Sequence, residues 1–98
     1  MADFTQVVSS FEDVRTYVLE TFCSRFDLDP RFFHVRSLPL NRRGRQTGTY
    51  FVVEGPRRIR FTAVWDREQQ MVFFYGFNGQ RIQTTELIYS STLLARAA

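Results

Sequence analysis

Three runs in the middle of the chain, Thr49–Val53, Ile59–Trp65 and Met71–Phe77, are dense in β-branched and aromatic residues. Polar breaks at Glu54-Gly55-Pro56-Arg57 and Asp66-Arg67-Glu68-Gln69 separate them. Residues of these types fit a pleated, half-buried surface. Gly55 permits a positive φ and Pro56 cannot donate to a ladder, so the chain is expected to reverse there. The second break has hairpin length. Together the runs predict an antiparallel meander of three strands.

Side chains alternate across a strand, which assigns faces. Ile59, Phe61, Ala63 and Trp65 share one side and Arg58, Arg60, Thr62 and Val64 the other. If the second break sets Trp65 opposite Gln70, Val72 and Phe74 point to the core. Met71, Phe73, Tyr75 and Phe77 then join the arginine side, and a slip of one residue would exchange the two sets. In either register Met71–Phe77 carries large apolar groups on both sides, unusual for a sheet with one wet face. Three arrangements account for this: helices over both faces, a second copy of the chain, or an arginine-aromatic surface open to a ligand.

Upstream, Ser9-Ser10-Phe11-Glu12 has capping-box spacing, with Ser9 as N-cap and Glu12 reaching back. Phe11, Val14, Val18, Phe22 and Phe26 recur at three- and four-residue spacing, an amphipathic helix that stops before Asp27-Leu28-Asp29-Pro30. Asp3–Val8 fits a lead-in or a short helical turn. Arg31–Leu38 predicts a first strand with Phe33 and Val35 on one side and Phe32, His34, Arg36 and Leu38 on the other. Pro39 ends that strand or confines it to an edge. Asn41–Gly48 reads as a loop with three arginines, and Asn78-Gly79 as a tight turn opening a short strand at Gln80–Gln83. Thr84 or Thr85 is expected to cap a last helix carrying Leu87, Ile88, Leu93 and Leu94. The expected fold is a single α+β domain over residues 1–98. It has an antiparallel meander of four strands, five with Gln80–Gln83, between an N-terminal and a C-terminal helix.

With 44% hydrophobic residues and 11 Phe in 98, the chain can bury a core and is not a disordered one. Apolar runs reach only strand length, so no membrane partner is expected. Residues 1–10 lack the basic and apolar regions of a secretory signal, and the lone Cys23 cannot form an internal bridge. Cytoplasmic residence is the expectation. Net charge is +3, unevenly spread: residues 1–30 hold −4, residues 31–60 hold +7, and the rest is neutral. A basic middle third points to an anionic partner, or to the acidic first third of the same or a second copy. Every basic residue is Arg. Guanidinium suits bidentate phosphate contacts and aromatic stacking, although a coding bias toward Arg yields the same pattern.

No residue set composes a catalytic site. His34 stands alone on a strand without a local acid to orient it, Cys23 lies among apolar helix positions, and Asp66 and Glu68 belong to a turn. One His and one Cys do not make a metal site, and Gly44 and Gly48 match neither a phosphate loop nor a dinucleotide fingerprint. No catalysis and no cofactor are expected. Tyr75-Gly76-Phe77 lacks the basic-glycine start of an RNA-recognition strand. The expected function is a non-catalytic protein-interaction module, a homodimer or a binder of protein partners, acting through the aromatic and arginine face. Glu12, Asp13 or Glu20 of one copy would meet Arg58 and Arg60 of the other. The alternative is a small RNA- or single-stranded-DNA-binding domain. It would use the Arg42, Arg43 and Arg45 loop with Arg58 and Arg60, and Phe73, Tyr75 and Phe77 as stacking faces.

Overall fold

The computed structural model describes residues 2–90. Its elements in chain order are strand β1 (Phe4–Val8), helix α1 (Phe11–Phe26), β2 (His34–Arg42), β3 (Arg45–Glu54), β4 (Arg60–Asp66), β5 (Met71–Tyr75) and β6 (Arg81–Tyr89). Short 3-10 turns at Pro30–Phe32 and Pro56–Arg58 precede β2 and β4. All six strands join one sheet in the order β1-β6-β5-β4-β3-β2. Every neighbouring pair is antiparallel except β1 and β6, which run parallel.

This corrects the expected architecture. The sheet is mixed and six-stranded rather than a four- or five-stranded antiparallel meander, and α1 is the single α-helix among the described residues. The stretch expected to begin a last helix is β6: Thr84 pairs with Phe73 of β5, and Thr85 with Val72 of β5 and Phe4 of β1. Alternation explains it. Gln83, Thr85 and Leu87 point into the core while Glu86 and Ile88 face out, and the β-branched Ile82, Thr84, Thr85 and Ile88 favour a strand over a capped helix. Leu93 and Leu94 lie outside the described residues. Asp3–Val8, expected as a lead-in or helical turn, supplies β1, which Asp3 fastens to β6. Its backbone N–H donates to the Thr84 carbonyl at 2.8 Å and its carboxylate accepts from the Thr84 N–H at 3.0 Å.

The helix boundaries follow from its caps. Ser10, not Ser9, is the N-cap: its Oγ accepts from the Asp13 N–H at 3.0 Å, and the Asp13 carboxylate accepts from the Ser9 N–H at 2.8 Å. Asp27 closes the helix in the left-handed conformation, φ 54°. Val14, Val18 and Phe22 are fully buried against one sheet face, where Phe22 stacks on Phe61 and meets Phe74 edge-on. Phe51, Val53, Ala63, Trp65, Val72, Phe74 and Leu87 complete this core. At the helix flanks, Arg15 donates to the Val35 carbonyl at 2.8 Å, and Tyr17 shares a 2.9 Å hydrogen bond with Thr85.

The arginine-rich segment after Asn41 is a tight hairpin rather than a loop to Gly48. Arg42 pairs with Arg45 around Arg43 and Gly44, both at positive φ. Pro39 runs inside β2, an edge strand, as its missing N–H requires.

Candidate functional site

Register fixes which side chains share the face opposite α1. Trp65 pairs with Val72 and Ala63 with Phe74, two residues on from the assumed Gln70 but in the same phase. Val72 and Phe74 are therefore core, and Phe73 and Tyr75 stand on the side of Arg60. Cross-strand pairing then builds rows. Arg36, Val52, Thr62, Tyr75 and Arg81 form one row, and Leu38, Tyr50, Val64, Phe73 and Thr84 the next. Arg60 lies with Glu54 and His34 at one end of the strands, and Asp66 with Met71 and Glu86 at the other.

Among the described residues no helix covers these rows. Tyr50, Thr62, Val64, Phe73 and Tyr75 are half-buried by one another, Leu38 is 48% exposed, and Val52 is completely buried between its neighbours. The Arg81 guanidinium lies over the Phe73 ring at 5.4 Å. Arg36 donates to Glu54 at 2.8 Å across β2 and β3, and this bond holds the Glu54 carboxyl below its ordinary range, with Arg60 and His34 adding in the same direction. His34 thus has an acid within 4.0 Å, brought by strand pairing from twenty residues away and invisible to local spacing. The buried Cys23 lies on the helix side of the sheet.

Of the residues singled out from sequence, Arg60, Phe73 and Tyr75 meet on this open face. Arg42, Arg43 and Arg45 do not. They sit at the far end of β3, beside Thr47 and Glu68. Arg58 and Phe77 also lie off the face. They line a separate cleft of about 460 Å³ with Phe26, Leu28, Arg57, Ile59 and Phe61. Phe77 is 77% exposed there and meets Phe61 edge-on at 6.5 Å.

The turn beneath this cleft is strained in an unexpected place. Gly55, expected to take the positive φ, is extended, whereas Arg57 and Arg58 both have φ 60°. Such a conformation costs roughly 1–2 kcal/mol per non-glycine residue. The turn is closed by the Gly55 N–H on the Ile59 carbonyl at 3.0 Å and the Ile59 N–H on the Pro56 carbonyl at 3.2 Å. Gly55 itself packs against the Phe33 ring, which leaves no room for a side chain.

Arg81, Asp66 and Glu86 were not singled out for this face from sequence. Alternation through Gln83–Ile88 places Glu86 on it, whereas Arg81 reaches it through a register shift beside Tyr75, which pairs with Arg81 rather than Ile82 and leaves no sequence signal. Compared with protein-family models, curated proteins and solved structures, the chain finds no match in any of the three.

Proposed function

We propose that the chain is a non-catalytic interaction module that pairs with a second copy of itself through the open sheet face. One observation carries this reading: Tyr50, Val64, Phe73 and Tyr75 crowd together on a face that α1 leaves uncovered. Contiguous apolar patches rimmed by polar groups mark interaction surfaces, and Arg with aromatic residues is enriched at interface centres.

Charge placement favours a second copy as the partner. Arg60 and Arg81 stand toward one end of the face, and Asp66 and Glu86 toward the other. A twofold axis lying between two such sheets and across their strands turns the acidic end of one copy onto the basic end of the other. Arg60 then meets the second copy's Asp66 twice, once on each side of the axis, and the Phe73 row lies over the Tyr75 row. Glu12, Asp13 and Glu20 sit on the helix side, so the acids within reach are those on the sheet. Nucleic-acid binding has less support, because Arg42, Arg43 and Arg45 are at the opposite end of β3 from Arg58 and Arg60.

Sedimentation at low and high salt, with and without a mixed-sequence oligonucleotide, tests the reading. A dimer that survives salt and separates on dilution is expected, with Phe73→Asp folded and monomeric. A monomer that takes up the oligonucleotide at moderate salt overturns it.

A further inference from the structure

The cleft bounded by Phe26, Leu28, Ile59, Phe61 and Phe77 lies off the proposed dimer face, and its two charged lining residues, Arg57 and Arg58, are both cationic. Among the described residues neither guanidinium has a carboxylate within ion-pairing distance. Two adjacent cations with no counter-charge, above a hydrocarbon floor, define the complementary ligand. It carries one anionic head and one apolar body.

The backbone supports the same conclusion. Arg57 and Arg58 both occupy the left-handed region, where glycine or asparagine would sit more comfortably. Backbone strain of this kind gathers at ligand clamps. The floor also discriminates between ligands. Its five apolar side chains offer no hydrogen-bond partner, so a peptide laid across it would leave N–H and C=O groups unpaired, whereas an alkyl chain has none to satisfy. The volume, about 460 Å³, is that of a small-molecule site.

We infer that this cleft binds a single-chain carboxylate amphiphile, with its headgroup on Arg57 and Arg58 and its chain against Phe61, Ile59 and Phe77. Exposed Phe77 would close over the chain as a flap.

The test is titration of the full chain with decanoate, below the concentration at which decanoate forms micelles, followed by calorimetry and amide chemical shifts. Decanol and decyltrimethylammonium are the neutral and cationic controls. Saturable binding of one decanoate per chain is expected, with shifts confined to Ile59, Phe61, Phe77 and the end of α1, and at least tenfold preference over both controls. Arg57→Asn with Arg58→Asn should erase that preference without lowering the melting temperature, because asparagine accepts the left-handed backbone. Phe77→Ala should weaken decanoate and decanol alike. Equal binding of all three amphiphiles, shifts centred on Phe73 and Tyr75, or full retention in the double asparagine variant would overturn the assignment. Repeating the titration on Phe73→Asp separates the two proposals: binding there is expected to be unchanged whether or not the chain dimerises.

Discussion

Gly48 pairs with Asp66 of β4, and a Cβ at that position would collide with the Trp65 backbone carbonyl. Backbone cannot yield as a side chain can, so Gly48→Ala should destabilise the fold by more than about 2 kcal/mol in denaturant unfolding. Phe22→Ala should cost about 3–5 kcal/mol, since that ring is wholly buried between Phe61 and Phe74. Hydrogen bonds from the Ser9 N–H and Oγ hold the Asp13 carboxyl below its ordinary range. A depressed carboxyl contributes stability above its unfolded pKa, and that contribution disappears as pH falls through the folded value. The stability gap between the wild type and Asp13→Asn should therefore be full at neutral pH and close below about pH 4. A gap that persists unchanged to pH 2 would contradict the assigned cap. At this scale the sequence was readable in kind but not in detail. Serine capping with an acid three residues on was visible, yet Ser9-x-x-Glu12 and Ser10-x-x-Asp13 offer the same chemistry one residue apart, and local spacing does not choose between them. Nothing local distinguishes Arg57 and Arg58 as left-handed, because closure of the whole turn imposes that geometry.

Elements with a private signal were legible and elements that depend on a distant partner were not. The 3.6-residue recurrence from Phe11 to Phe26 identifies α1 without help, and the three aromatic runs identify half of β3, most of β4 and all of β5. β1 has no such signal: Phe4, Gln6 and Val8 form a strand only because β6 offers a parallel edge more than eighty residues away. β6 carried a competing signal, since Thr84 and Thr85 suit a helix cap as well as a strand. Its true identity makes a prediction for hydrogen exchange. Backbone amides of β6 are shielded between β5 and β1, so they should exchange as slowly as those of β4 and well behind those of the edge strand β2. Exchange of Thr84–Tyr89 at the rate of a frayed helix would contradict the sheet order. Helix-side shielding also reaches Cys23, whose thiol burial pushes up in pKa. Its alkylation at neutral pH should track unfolding rather than proceed in the native state.

At the scale of the whole molecule, the doubly apolar β5 segment has a specific cause. Its inner side chains, Val72 and Phe74, meet α1 and the core, while its outer ones, Phe73 and Tyr75, stand among Tyr50, Val64 and Arg81 on a face that no helix among the described residues covers. That segment's conflict was visible in sequence, but the distribution of the arginines was not. A +7 middle third looks like one basic surface, yet strand pairing sends Arg42, Arg43 and Arg45, then Arg60, then Arg57 and Arg58 to three separate places. What remains on the open face is Arg60 and Arg81 toward one end, where Glu54 is held by Arg36, and Asp66 and Glu86 toward the other, with the Arg42–Arg45 hairpin beyond them. The Arg60 and Asp66 positions are complementary under twofold rotation.

Charge exchange across that axis is the most direct measurement. Arg60→Asp and Asp66→Arg should each weaken the dimer at least tenfold in sedimentation equilibrium, because like charges would face one another twice. Mixing the two variants restores opposite charges at both positions, so the mixture should dimerise while each component alone does not. A mixture that stays monomeric, or a wild type that remains monomeric at high concentration, would contradict the face-to-face pairing.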